Sequence, residues 1–138
     1  MRNYETFSTT ADTGIRFRGR GHAELYANAL RGLNLLLFGR NPRLAKQKGT
    51  AIPFRFRGDG PENVLVNLLA AAVALAGQEG QQVTATDIRR ADGCRLDALL
   101  LTAPCPRLPR IDVKAVTYHD LRVRERNGVL RAAVVLDI

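Results

Sequence analysis

This chain has no tryptophan, one methionine, two cysteines and two histidines in 138 residues. Each shortage excludes something. An aromatic content of 6% is too small for a platform on which successive bases stack. Cys94 and Cys105 match no zinc or redox spacing, and Cys105 lies between two prolines, as a turn residue would. Ordinary reduced thiols are therefore expected. His22 and His119 are scattered, one at an expected helix start and one at an expected strand end. No Ser-His-Asp or Cys-His arrangement is legible, and neither a nucleophile nor a general base can be named. Gly19-Arg20-Gly21 lacks the glycine spacing and the following Lys-Ser/Thr of a phosphate loop. An independent enzyme, including a stand-alone metal-dependent hydrolase, is thus not supported. No apolar run is long enough for a bilayer, and Met1-Arg2-Asn3-Tyr4-Glu5 lacks the apolar centre of a signal peptide. The expectation is a cytoplasmic protein with no membrane partner.

Acids are scarce beside bases. Lys and Arg number 21 against 13 Asp and Glu, for a net charge of +8. That balance predicts attraction to polyanions, RNA above all, or to an acidic protein partner. Coding bias or thermal adaptation produces the same Arg-rich surface with no ligand at all.

What is present is ordinary for a globular protein: 46% hydrophobic and 25% charged residues in a length suited to one domain, 1–138. Tyr4 to Thr9 and Thr13 to Arg18 read as strands around a polar turn, with Ile15 and Phe17 alternating with Arg16 and Arg18. His22 to Phe38 carries an apolar stripe at three- and four-residue steps, and Gly39 is a natural stop. Arg40 to Gly49 reads as a basic loop and Ala51 to Arg57 as a strand. Pro61 and Glu62 suit the start of a second helix. Its apolar face runs from Val64 to Ala76, and Gly77 and Gly80 are expected to end it. Val83–Arg89, Arg95–Thr102, Ile111–Thr117, Leu121–Arg126 and Val129–Asp137 follow as strands, with a Pro-rich loop over Ala103–Arg110. The fold class is α+β: a mixed or antiparallel sheet, two main helices and a C-terminal hairpin.

Asn127-Gly128 predicts the two-residue turn of that hairpin. The implied register sets Arg126 opposite Val129, Arg124 opposite Arg131, Arg122 opposite Ala133 and Tyr118 opposite Asp137. Leu121 and Val123 then share the core face with Leu130, Ala132 and Val134. Arg122, Arg124, Arg126 and Arg131 share the other face with Asp137 and are candidate RNA phosphate contacts. The same parity places Lys114 on that face unless a bulge near His119-Asp120 flips it.

The last strand ends on Asp137 and Ile138, an acidic side chain beside a terminal carboxylate on an apolar strand. Burying unpaired charge is costly, so a positive partner is expected there. Asp12, in the turn between the first two strands, supplies a third oxygen-bearing group. Oxygen donors without clustered His or Cys favour a hard cation, Ca2+, Mg2+ or Mn2+, over zinc. Two alternatives stand beside this: Asp12 capping its own turn, and Asp137 pairing with Lys114 or an arginine.

These same residues resemble the archease family. Thr9-Thr10-Ala11-Asp12-Thr13-Gly14-Ile15, Lys114-Ala115-Val116-Thr117-Tyr118-His119 and Leu136-Asp137-Ile138 are similar to the family's His-Thr-Ala-Asp-x-Gly-Ile, Lys-Ala-x-Thr-Tyr-His and C-terminal Asp-Ile. The resemblance implies a small α+β accessory protein of a GTP-dependent RNA ligase. Such a protein promotes guanylylation and multiple turnover of the ligase in tRNA splicing and RNA repair. It implies a divalent-cation site at Asp12, Asp137 and Ile138, with Lys114 assisting activation. It also links some members to tRNA methyltransferases, and Arg122, Arg124, Arg126 and Arg131, with Arg16, Arg18 and Arg20, support an alternative: a basic chaperone on the same scaffold that binds tRNA or such a methyltransferase without ligase activation. Three features depart from the family. Thr9 stands where the family has His. Leu65-Val66-Asn67-Leu68-Leu69-Ala70-Ala71-Ala72 replaces a helix bearing a Trp and two acids. The chain is also basic where the family is typically acidic.

Overall fold

The computed structural model describes residues 2–42 and 49–138. The element order is β1 (Tyr4–Ser8), β2 (Thr13–Gly19), α1 (His22–Phe38), β3 (Ala51–Arg57), α2 (Pro61–Gln78), β4 (Gln81–Asp92), β5 (Arg95–Pro104), β6 (Ala115–Val116), β7 (Arg124–Arg126) and β8 (Val129–Asp137). The strands form two antiparallel sheets. One has the order β1-β2-β8-β6, with β7 also paired to β8; the other has the order β3-β5-β4.

The helix α1 lies between the sheets, against β1 and β2 on one side and β4 on the other. This is why its stripe is so wide: Leu25, Tyr26, Ala29, Leu33, Leu37 and Phe38 are all buried. Two buried amides tie it to both neighbours. Asn28 donates to the Arg18 carbonyl at 2.7 Å and Asn34 to the Val83 carbonyl at 2.8 Å. A buried amide without such partners would be costly. The end of α1 is closed from elsewhere in the chain. Gly39 turns left-handed (φ 78), the Arg110 N–H donates to the Leu37 carbonyl at 2.7 Å, and the Arg107 guanidinium donates to the Phe38 carbonyl. Positive charge at a helix C-terminus is favourable.

The helix α2 packs against α1, β4, β3 and β6, and Val64, Leu65, Leu68 and Leu69 on its inner face are buried. Pro61 sits in the first turn as expected. Gly77 does not end this helix, which continues to Gln78; the left-handed Gly80 (φ 62) then turns the chain. The next two strands, β4 and β5, are longer than their apolar patterns suggest. β4 and β5 form a hairpin around Gly93-Cys94, with Asp92 opposite Arg95. The basic loop expected over Arg40–Gly49 lies mostly outside the described residues.

The C-terminal hairpin forms at Asn127-Gly128, both with positive φ (53 and 78), and Arg124 pairs with Arg131 and Arg126 with Val129. Further along, the expected register fails. The strand expected over Leu121–Arg126 shrinks to Arg124–Arg126, and the one over Ile111–Thr117 to Ala115–Val116. Arg122 lies outside β7 and is not paired with Ala133. Ala115, not Tyr118, stands opposite Asp137. The cause is a turn closed by the Leu121 N–H on the Tyr118 carbonyl at 3.0 Å, with Asp120 at φ 52. It removes three residues from the ladder, and an odd shift reverses the faces.

Candidate functional site at the end of the five-stranded sheet

The turn between β1 and β2 is held by Thr9. Its Oγ1 accepts the Asp12 N–H at 2.9 Å and the Ala11 N–H at 3.3 Å, while the Thr9 N–H donates to the Asp12 carbonyl at 2.7 Å. A hydroxyl bonding the backbone two and three residues on is a common turn device. Here it leaves the Asp12 carboxylate unused by its own turn. Among the described residues, that carboxylate makes no hydrogen bond or ion pair.

The β2–β8 ladder ends on Thr13 opposite Leu136. One step further along the same register come Asp12 and Asp137. Two residues 125 positions apart in the chain thus reach neighbouring strand ends. The approach depends on Gly14: a Cβ there would lie 2.1 Å from the Val134 carbonyl oxygen. Asp137 is exposed whereas Leu136 beside it is buried. No lysine or arginine pairs with the Asp137 carboxylate among the described residues. Ile138, next in the chain, is about half exposed. Asp12 and Asp137 are oxygen donors of the kind hard cations take. The described residues hold no group of three or more His, Cys, Asp or Glu side chains able to bind a metal ion.

Lys114 reaches this end through its backbone, its N–H donating to the Asp137 carbonyl at 2.7 Å. The shifted register takes it off the Asp137 face. Lys114 instead lines a cavity of about 610 Å3 between α2 (Val73, Gly77) and the segment from Leu108 to Val116. His119 pairs with the adjacent Asp120 at 3.3 Å on the exposed turn, and His22 stands against Tyr26 at the start of α1 with ring centroids 6.0 Å apart. The structure does not bring the two histidines into one site.

Sequence reasoning missed what secures the Tyr118–Val123 segment. Glu62 Oε2 accepts the Val123 N–H at 2.9 Å, and Asn63 Nδ2 donates to the Tyr118 hydroxyl at 2.7 Å. Both lie in the first turn of α2, where an acidic residue is expected for the helix dipole alone. Nothing in the sequence signals a partner 61 residues away.

The thiols are free. Cys94 is raised above its ordinary pKa by its hydrogen bond to the Asp92 carboxylate, and Cys105 by burial.

Comparison with known proteins agrees with this architecture. The profile of the Archease protein family matches residues 4–138. A "Protein archease" from Thermoplasma volcanium is 28% identical over 98% of each chain, and one from Pyrococcus furiosus is 30% identical over the whole of both. The solution structure of Methanobacterium thermoautotrophicum protein 1598 superposes with a TM-score of 0.71 over both complete chains at 20% identity. The crystal structure of a Thermotoga maritima archease, described as a possible chaperone, gives 0.61 over 96% of this chain and 94% of that one, also at 20% identity.

Proposed function

Because this chain belongs to the Archease protein family, we propose that it is a non-catalytic accessory protein, working in the cytoplasm, that activates a GTP-dependent RNA ligase. What supports the reading is the β2–β8 register, whose last pair, Thr13 and Leu136, directly adjoins Asp12 and Asp137, and neither carboxylate has a protein partner among the described residues. Asp12, Asp137 and the Ile138 carboxylate would hold one Ca2+, Mg2+ or Mn2+ ion. A hard divalent cation held there would supply positive charge to phosphate oxygens. The chain's own residues build the platform for it. Thr9 fixes the Asp12 turn. Gly14 lets β2 close on β8. The Lys114 backbone secures the last strand. Glu62 and Asn63 hold the Tyr118–Val123 segment that flanks this end.

Two measurements test the reading. The first follows ligase guanylylation alone, with this protein, and with Asp137→Asn. The wild type should accelerate it and the variant should not; equal rates in all three remove the proposal. The second is thermal unfolding with added Ca2+, Mg2+ or Mn2+. Cation at a hundredfold excess over Kd stabilises a folded protein by about 2.7 kcal/mol. Asp12→Asn should abolish the shift, and an identical shift in that variant would place the cation elsewhere.

A further inference from the structure

The open face of the five-stranded sheet carries arginines in a row across three strands. Arg18 of β2 is directly opposite Arg131 of β8, which is directly opposite Arg124 of β7. Directly opposed residues share a face, and neighbouring strands lie about 4.8 Å apart. Arg16 and Arg126 extend the row, each two residues along its strand and so on the same face. Arg16, Arg124, Arg126 and Arg131 are exposed. Arg18 Nε also donates to Asn3 Oδ1 at 3.4 Å, and the directly opposed guanidinium groups concentrate positive charge on this face.

In the three-stranded sheet three arginines are ion-paired, whereas Arg55 and Arg57 of β3 have no ion pair among the described residues. Arg89 pairs with Asp87 at 2.8 Å, Arg95 with Asp97 at 2.7 Å, and Arg90 with Asp92 at 4.0 Å. On the five-stranded sheet Arg16 lies 3.7 Å from Glu5 and stacks over the Phe7 ring at 4.3 Å. Among the described residues no carboxylate lies within ion-pair reach of Arg124 or Arg126.

We propose that this face binds the phosphate backbone of a single nucleic-acid strand, with Arg18, Arg131, Arg124 and Arg126 as the phosphate contacts. Every cation in the row is a guanidinium, whose planar fork suits phosphate oxygens. The one aromatic ring on the face, Phe7, is covered by Arg16, so the contact is to the backbone and not to stacked bases. The row is separate from the acidic end: Arg131 and Asp137 are six residues apart on β8, about 20 Å along a strand. The proposal goes beyond ligase activation and does not require it.

The test is fluorescence anisotropy of labelled oligouridylate with this protein alone, at 50 and 200 mM salt. Four phosphate contacts to a single strand predict a slope of about −2.8 in log K against log salt, a weakening of roughly 50-fold over that range. The triple variant R124Q/R126Q/R131Q should lose about 2 of that slope and bind more than tenfold more weakly at 50 mM salt. The control R55Q/R89Q/R90Q removes the same net charge from the other sheet and should bind within about threefold of wild type. Far-UV circular dichroism melts confirm that both variants are folded. An oligodeoxythymidylate that binds equally well supports the assignment, which is to phosphate and not to the 2′-hydroxyl. Equal loss in both variants would reduce the effect to diffuse net charge and overturn the proposal. Polyglutamate competing as strongly as RNA would assign the face to an acidic protein and overturn it too. No ligase is present in this assay, so its failure leaves guanylylation to be judged by its own experiment.

Discussion

Replacing Gly14 by alanine should separate the two strands that carry the candidate site. A Cβ at this position would stand 2.1 Å from the Val134 carbonyl oxygen and 2.7 Å from Cζ of Phe7. The ring can rotate away, but the carbonyl belongs to the β2–β8 ladder and moves only with its strand. Forcing extra volume into a packed site costs about 2–3 kcal/mol when the backbone must shift. For a chain of this length that lowers Tm by roughly 6 to 15 °C. The assay is thermal and urea unfolding of Gly14→Ala beside wild type, repeated with divalent cation. The cation-dependent shift should shrink as well, since β2 cannot leave β8 without carrying Asp12 from Asp137. Trimming the ring in F7L/G14A should recover little, because the dominant obstacle is main chain. A Tm within about 2 °C of wild type would refute the close approach and with it the stated reason why these aspartates meet.

Two further outcomes follow from the packing around the helices. Tyr26 is fully buried and its hydroxyl donates to the Asp92 carbonyl at 2.6 Å. Burial, with Asp92 nearby, pushes its pKa well above the ordinary 10.0. A raised folded-state pKa contributes stability that is full below the unfolded value and declines as pH climbs past it. Wild type should therefore weaken above pH 10, whereas Tyr26→Phe should start about 1 kcal/mol lower at neutral pH and show a flatter alkaline branch in urea midpoints. Glu62→Ala removes the acceptor of the Val123 N–H. It should cost about 1.5 kcal/mol and speed hydrogen exchange at the Val123 amide, while exchange in β4 stays unchanged.

Local chemistry was legible wherever a residue's neighbours in the chain decide its conformation. The Asn127-Gly128 turn, the Pro61 helix start, the Gly39 stop and the alternation of Ile15 and Phe17 with Arg16 and Arg18 all belong to that class. The hairpin register was correct for as far as the turn governs it, through Arg124 and Arg131. Beyond that the Tyr118–Leu121 turn intervenes, and it is held by Glu62 and Asn63 from a helix some 60 residues earlier. No local rule reports such a partner.

The amino-acid order by itself determined the elements, the family and the identity of the oxygen-bearing residues, because propensity, turn chemistry and motif are carried by short stretches. Only the tertiary structure decided that Asp12 and Asp137 occupy adjacent strand ends, that Lys114 leaves their face, and that Arg18, Arg131 and Arg124 align across three strands. Those are matters of register between distant strands, and in a pleated sheet a shift by an odd number of residues sends each side chain to the opposite face.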